Sequence, residues 1–290
     1  MKKISGIIPA LITPFNKGGN VDFDSLGQLV EKTLAGGASG FYVTGTSGEA
    51  FLLSDAERRD ILRFVARVND GRAVLIAHVG AMSTGKACAF ARIAAEAGYD
   101  CVSSVAPIYN PYTFDEIKKY YLDIADASGL PMFVYNYPAA SGVNFSAANI
   151  AELLSDSRFI GVKHTCSDYF MLRKLKTAFP DRILLNGYDE TFLAGLAMGA
   201  DGAVGTTFNF MPEKMRSVFD LFGQSRIAEA GEVQKQADVI IAALIEAGVI
   251  PGTKAILTAM GISCGDARAP FAPLSKEKRK KLLDTVMPLI

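Results

Sequence analysis

The segment Phe159-Ile-Gly-Val-Lys163 is a short apolar run that ends in a lysine, and its pattern decides the fold. Short runs rich in Val, Ile, Phe or Tyr are typical of buried parallel strands. Eight such runs recur along the chain, at residues 7–12, 40–43, 73–78, 101–105, 131–135, 159–163, 182–186 and 202–205. Each is therefore predicted to be a strand.

Helix signals fill the segments between these runs. Ser54 with Glu57, and Thr113 with Glu116, have the capping-box spacing that begins a helix. Four glycines stand where a predicted helix ends before the next strand: Gly37, Gly98, Gly129 and Gly199. Eight alternating strand–helix units predict an α/β fold of the (β/α)8 TIM-barrel type. A doubly wound open sheet also alternates, but the count of eight favours the barrel.

The last part of the chain is predicted to be helical, over residues 213–223, 226–247, 253–260 and 276–287. These segments are interpreted as the last barrel helix followed by a C-terminal helical extension. Because no linker or change in composition separates them, we predict a barrel over residues 1–224 and an extension over 225–290. The two parts are expected to form one structural unit.

Composition narrows the classes of partner. Half of the 290 residues are hydrophobic, which favours a large core and excludes wholesale disorder. Lys plus Arg and Asp plus Glu both number 30, so the chain lacks the basic excess of nucleic-acid or membrane-surface binders. No apolar run is long enough to predict a membrane span. The four cysteines have no pairing pattern, so free thiols and a cytoplasmic location are expected: Cys88, Cys101, Cys166 and Cys264.

Two other kinds of site are not predicted. Residues 80–86 match the GxxxxGK phosphate loop, but Ala87 stands where a Ser or Thr hydroxyl would hold Mg²⁺. The only histidines, His78 and His164, have no second ligand at a suitable spacing. We therefore expect neither a metal nor another cofactor.

In a barrel, chemistry is located where the strands end, and two such positions carry side chains suited to catalysis. Lys163 closes the sixth strand, where burial would lower its pKa and leave a free amine to attack a ketone. The alternative is a lysine that reaches solvent at the barrel mouth. Tyr135 lies one strand away and could relay protons, although an ordinary half-buried core tyrosine is the commoner case for this residue type.

Two further strand ends carry polar groups. After the second strand, Thr46 and Ser47 lie between glycines, an arrangement that suits a carboxylate or phosphate unless it is a plain turn. After the seventh strand, Asp189 and Glu190 could bind the hydroxyls of a polyol. They could equally be helix N-terminal charges that the helix dipole favours.

Together these segments carry a family resemblance. Residues 45–49 (GTSGE), 135–138 (YNYP) and 161–163 (GVK) resemble the pyruvate-dependent class I aldolases, the family of dihydrodipicolinate synthase and N-acetylneuraminate lyase. The motifs come in the family's order and spacing over essentially the whole chain. The resemblance implies that Lys163 forms a Schiff base with a keto acid and that Tyr135 relays protons.

Two segments are more similar to the lyase branch of that family. Residues 135–143 read YNYPAASGV and lack the arginine that synthases usually carry there, and residues 187–190 read GYDE. This implies reversible cleavage of N-acetylneuraminate to N-acetylmannosamine and pyruvate. The alternatives are another 2-keto-3-deoxy sugar acid aldolase, dihydrodipicolinate synthase, or a non-catalytic keto-acid-binding regulator.

The resemblance also implies roles for other residues. Ser47 assists catalysis, and Tyr109 reaches into a neighbouring subunit of a homotetramer. Thr46 and Ser47 hold the substrate carboxylate, although the lyases usually have Ser before Thr. The other implied substrate-binding residues are Thr165, Gly187, Asp189, Glu190 and Thr206.

Overall fold

A computed structural model describes residues 2–290. Its eight short strands are parallel and buried, as continuous apolar runs require. They are β1 (Gly6–Pro9), β2 (Gly40–Val43), β3 (Val74–His78), β4 (Cys101–Val105), β5 (Met132–Asn136), β6 (Phe159–His164), β7 (Ile183–Asn186) and β8 (Gly202–Gly205).

The strands form one sheet that curves into a barrel. Their order is β1-β8-β7-β6-β5-β4-β3-β2, so each sequential pair from β2 to β8 is adjacent and β1 pairs with β8. The ring closes between its two end strands through an isolated parallel bridge between Ala10 and Tyr42. The backbone N–H of Leu11 donates to Tyr42 at 3.0 Å at the same point. The predicted TIM barrel is confirmed.

Helices alternate with the strands around the barrel. They are α1 (Phe23–Ala35), α2 (Asp55–Asn69), α3 (Thr84–Glu96), α4 (Phe114–Ser128), α5 (Pro138–Ser141), α6 (Ala147–Leu154), α7 (Tyr169–Ala178), α8 (Phe192–Ala197) and α9 (Pro212–Gly223). Both predicted capping boxes are present, at Ser54 and Thr113. The four predicted helix-end glycines all have positive φ, from 63° to 98°: Gly37, Gly98, Gly129 and Gly199.

The first strand is shorter than predicted at its C-terminal end. The run 7–12 predicts a strand to Ile12, whereas β1 ends at Pro9. Beyond Pro9 the N–H groups of Ala10 and Leu11 still donate to Gly205 and Tyr42 at 2.9 and 3.0 Å. The backbone leaves the ladder at Ile12, because its N–H donates to the Asn209 side chain at 3.3 Å instead of to a strand. A side-chain acceptor replaces the ladder partner there, so the apolar run outlasts the strand.

Three helices follow the barrel: α10 (Ile227–Ala247), α11 (Val249–Ala259) and α12 (Lys276–Val286). Gly248, at φ 104°, separates α10 from α11. No single helix of residues 2–290 has the length and hydropathy to cross a membrane. Only α10 and α11 taken together reach both, and they bend by 116° at their junction. The predicted helical C-terminal part is confirmed, while its boundary at residue 225 stays a prediction.

The core has two layers. The larger one lies between the strands and the surrounding helices. The smaller one fills the barrel interior with side chains from alternate strand positions, including Ile8, Tyr42, Ile76, Phe133, Tyr135 and Val204. Two tyrosines of this inner layer, Tyr42 and Tyr135, lie directly below the barrel mouth, where the polar residues collect.

Candidate active site

A cavity of about 340 Å³ opens at the carboxyl ends of the strands. This edge of the barrel gathers residues that are far apart in the sequence, because parallel strands all end there. Every predicted site residue except Tyr109 lines it: Thr46, Ser47, Tyr135, Lys163, Thr165, Gly187, Asp189, Glu190 and Thr206.

Lys163 lies at the floor of the cavity and is only 5% exposed. Its Nζ lies over two aromatic faces, 4.1 Å from the ring centroid of Tyr42 and 4.0 Å from that of Tyr135. Lys163 takes part in none of the ion pairs within residues 2–290. Burial lowers its pKa to about 7, and the charge of Asp189 opposes that shift. A substantial fraction of free amine is therefore present near neutral pH.

Tyr135 is next to Lys163 in the ladder of β5 and β6. It is buried, and its ring stacks on that of Tyr137 with a centroid distance of 5.6 Å. Burial raises the pKa of Tyr135, while the neighbouring hydroxyls of Thr46 and Thr165 oppose the rise. The side chain is thus a neutral phenol that can pass on a proton beside the amine.

The loop after β2 carries the two hydroxyls predicted to hold a carboxylate. Ser47 is buried, and its Oγ lies 2.6 Å from Oγ1 of Thr206, which follows β8. The backbone N–H of Gly48 donates to Gly45 at 3.1 Å, which makes the loop a tight turn. Hydroxyls from two strand ends thereby meet at one side of the cavity.

The cavity is also lined by the carboxylate of Asp189. Its Oδ2 accepts hydrogen bonds from the backbone N–H and the Oγ1 of Thr207, at 2.8 and 2.7 Å. Burial raises the pKa of Asp189 to about 6, although both of these hydrogen bonds lower it. Glu190 is exposed at the rim. The two acids therefore differ: Asp189 is buried and hydrogen-bonded, whereas Glu190 is exposed to solvent.

Gly187 is a position where only glycine fits without displacement. A Cβ there would collide with the side chain of Thr165. Thr165 follows β6 and its Oγ1 is buried without a hydrogen-bond partner in residues 2–290. That hydroxyl lies beside the Tyr135 phenol, whose pKa it lowers, and the missing side chain of Gly187 leaves it room.

Tyr109 lies outside the cavity. Its side chain is 88% exposed, its φ is 85°, and it lines a separate groove with Tyr112, Val143 and Phe145. Within residues 2–290, Tyr109 is not part of the lining of the cavity that holds Lys163. The predicted role of Tyr109 in a neighbouring subunit stays a prediction.

Sequence reasoning missed two components of this site. One is Tyr42, an inner-layer residue of β2 that lies under the Lys163 amine and donates its hydroxyl to Ser103 at 3.0 Å. The other is an apolar wall that the C-terminal helices contribute: Ile241, Leu244, Ile245, Val249 and Ile250. In the sequence both look like ordinary core or surface residues, so no local signal identifies them.

Comparisons with known proteins agree with this geometry. The family model described as "Dihydrodipicolinate synthetase family" matches residues 3–288. The chain is 42% identical over 288 residues to an N-acetylneuraminate lyase of Rhizobium meliloti (strain 1021), covering 99% of this chain and 96% of the relative. It is 41% identical to N-acetylneuraminate lyase 2 of Escherichia coli O6:H1, covering 97% and 92%.

Solved structures are similar to this chain over essentially its whole length. The crystal structure of CdNal from Clostridium difficile in complex with mannosamine has a TM-score of 0.97 at 30% identity and covers all of both chains. Dihydrodipicolinate synthase DapA-2 from Bacillus anthracis has a TM-score of 0.95 at 27% identity and covers 99% of both. The resemblance on residues 45–49, 135–138 and 161–163 is therefore confirmed. This chain belongs to the dihydrodipicolinate synthetase family.

Proposed function

We propose that this protein is an N-acetylneuraminate lyase, which reversibly cleaves N-acetylneuraminate into N-acetylmannosamine and pyruvate. The observation that carries the proposal is Lys163, a buried lysine without a counter-ion in residues 2–290 whose pKa is about 7. It lies in a cavity that also holds the hydroxyls of Thr46 and Ser47. The names of the 41–42% identical relatives support the sugar acid as substrate.

The first step is attack of the free Lys163 amine on the C2 ketone of the open-chain sugar acid. Loss of water leaves an iminium, which accepts the electron pair when the C3–C4 bond breaks. Tyr135 is neutral, so it takes the C4 hydroxyl proton while passing its own proton onward, toward the substrate carboxylate beside Ser47. The C4 fragment leaves as an aldehyde. Protonation of the remaining enamine and hydrolysis of the imine then release pyruvate and restore the amine.

Substrate orientation follows from two sets of polar groups in the cavity lining. Thr46 and Ser47 hold the carboxylate, and the hydroxyl of Thr206 is hydrogen-bonded to that of Ser47. Thr165, Gly187, Asp189 and Glu190 face the hydroxylated tail, with Gly187 contributing backbone groups. Buried groups matched to hydroxyls reject analogues that lack them, because an unmatched partner remains buried and unpaired.

The assembly and location belong to the same proposal. We expect a homotetramer in which Tyr109 of one subunit completes the proton relay of the next. The exposed ring of Tyr109, on backbone with φ 85°, supports a role outside its own chain. All four cysteines are free, which supports a reducing, cytoplasmic location.

The Schiff-base step is tested by trapping. The protein is incubated with pyruvate and sodium cyanoborohydride, digested, and mapped by mass spectrometry. Reduction should add the three-carbon acid to Lys163. Binding of pyruvate without any adduct would favour a keto-acid-binding regulator instead.

The substrate is tested separately with a small panel. Pyruvate release from N-acetylneuraminate should be faster than from 2-keto-3-deoxygluconate, and the protein should not couple pyruvate to aspartate semialdehyde. Equal or faster release from 2-keto-3-deoxygluconate would assign the protein to another sugar acid aldolase while leaving the Schiff-base chemistry intact.

A further inference from the structure

A second buried lysine lies away from the cavity and has no part in the chemistry above. Lys254 of α11 forms an ion pair with Glu49, its Nζ 2.6 Å from Oε1. The two side chains are 1% and 0% exposed, and the Nζ lies 3.9 Å from the ring centroid of Phe15. Burial of both charges is costly, and such a pair rarely adds stability over an apolar one. Its presence therefore needs another explanation.

Glu49 is the last residue of the loop that carries Thr46 and Ser47. Its backbone N–H donates to the carbonyl of Thr46 at 3.0 Å. Its other carboxylate oxygen, Oε2, accepts the backbone N–H of Arg268 at 2.7 Å. Both oxygens of Glu49 are thus held by the segment 254–268, which lies more than 200 residues away in the chain. The C-terminal part of the protein therefore holds this loop in place through direct contacts.

The backbone of the loop is strained at both ends, so its geometry has to be maintained by contacts with other residues. Thr44 has φ 54° and Glu49 has φ 58°, a left-handed region that side chains other than glycine rarely adopt. Strained residues persist only where their surroundings determine the geometry. At Thr44 the restraint is uncharged: its carbonyl accepts from Nδ1 of His78 at 2.9 Å, and its Oγ1 donates to the His78 carbonyl at 2.8 Å.

At the other end of the loop, the restraints are the buried ion pair and the hydrogen bond from the Arg268 N–H. The glycines between the two ends give the loop little stiffness of its own. A small displacement of Glu49 would therefore move the Thr46 carbonyl and, with it, the neighbouring hydroxyls. Displacements of about 1 Å can change reaction rates 100-fold when they affect groups that orient a substrate.

We infer that Lys254, acting through Glu49, is a positioning residue for the carboxylate-binding loop, so that the C-terminal helices set the affinity of the barrel mouth for α-keto acids. This inference rests on the proposed function, because it assumes that Thr46 and Ser47 bind the substrate carboxylate. Lys254 touches neither the cavity nor the substrate. Its main expected effect is on recognition of the substrate carboxylate.

The test compares trapping of two ketones at Lys163, one with a carboxylate and one without. Second-order rate constants for adduct formation with cyanoborohydride are measured for pyruvate and for acetone. The main variant is the double change Glu49→Gln with Lys254→Met, which removes both buried charges at nearly constant volume. Lys176→Met is the matched control, since it breaks a half-buried pair with Asp201 near the opposite end of the barrel.

The double variant should react about tenfold more slowly with pyruvate while its rate with acetone changes by less than about twofold. Glu49→Asp keeps both charges but withdraws the carboxylate by one methylene, so it should show a smaller loss of the same kind and serves if the double variant fails to fold. The control should react like the wild type with both ketones.

Two results would overturn the inference. One is a parallel loss with pyruvate and acetone, which indicates general damage to the site. The other is an unchanged pyruvate rate in folded variants. Failure of the wild-type protein to form any Lys163 adduct with pyruvate would instead overturn the proposed function, so the two failures are distinguishable.

Discussion

Lys163 and Lys254 are both buried lysines, yet their surroundings give them opposite properties. Lys163 faces two aromatic rings and has no ion-pair partner in residues 2–290, so burial lowers its pKa to about 7. Lys254 also faces an aromatic ring, and burial lowers its pKa too, but the adjacent Glu49 carboxylate opposes the shift at 2.6 Å. The two lysines therefore differ in whether a carboxylate is paired with the buried amine.

The comparison shows how one residue type can perform two tasks in the same fold. Without a counter-ion, burial lowers the pKa of an amine, so that part of it is uncharged near neutral pH and can act as a nucleophile. With a counter-ion, it stays charged and fixes the position of its partner. Replacing each lysine with methionine should therefore have opposite consequences, which the following measurements would detect.

The largest effect is expected on catalysis by Lys163→Met. Because Lys163 supplies the only amine of the cavity lining within residues 2–290, N-acetylneuraminate cleavage should fall by on the order of 10⁴-fold or more. Steady-state assays at saturating substrate measure this loss, with circular dichroism to check folding. A variant that keeps a tenth of the wild-type rate would show that Lys163 is not the nucleophile.

The next largest effect is expected on the stability of Lys254→Met. This change leaves the Glu49 carboxylate buried and unpaired, so the free energy of unfolding should fall by about 3–5 kcal/mol. Urea unfolding measures the loss. Adding Glu49→Gln should recover most of it, and a double variant as unstable as the single one would contradict the role of the pair.

Lys163→Met should instead raise the free energy of unfolding. The pKa of Lys163 is about 7 in the folded protein against 10.5 as its ordinary value, so below pH 7 the folded state holds an unfavourable buried charge. The variant should be more stable there by up to about 5 kcal/mol, at about 1.4 kcal/mol per unit of pKa. The advantage should shrink between about pH 7 and 10.5, where only the unfolded wild type binds the proton.

Urea unfolding of the wild type and Lys163→Met at pH 6 and pH 9 tests whether the variant has the higher free energy of unfolding. Lys254→Met, measured at the same two values, is the matched comparison and should be destabilised at both. Loss of stability in Lys163→Met at pH 6 would show that the two lysines do not differ as their surroundings indicate.

The smallest effect is expected in the pH profile of trapping. The rate of pyruvate adduct formation should rise about tenfold per pH unit below pH 7 and level off above it, since only the free amine reacts. Asp189→Asn removes a charge that raises the pKa of Lys163, so its midpoint should lie at lower pH. A midpoint that stays in place would mean that Asp189 is uncharged when Lys163 titrates.

Much of the site was predictable because its residues stand at the ends of recognisable strands. Lys163 and Tyr135 end two apolar runs that pair in register, so their adjacency follows from the strand order. Thr46 and Ser47 were identified by the glycines around them. Local patterns of this kind do not depend on the rest of the fold.

Contacts between distant residues were not predictable. Tyr42 reads as a core residue of β2 until barrel closure places it under Lys163. The approach of Ser47 to Thr206 joins the ends of the second and eighth strands, 159 residues apart. The contact of Arg268 with Glu49 spans 219 residues. Side chains that meet only after the ring closes leave no periodicity in the sequence.

By itself, the sequence determined the alternation of strands and helices, the family, and which residues stand at the mouth of the barrel. These depend on hydrophobic spacing and on glycine, which act over a few residues. Only the tertiary structure decided which buried lysine is free and which is paired. Protonation depends on desolvation and on the nearest charge, and the folded chain brings Glu49 to Lys254 while leaving Lys163 between two tyrosines.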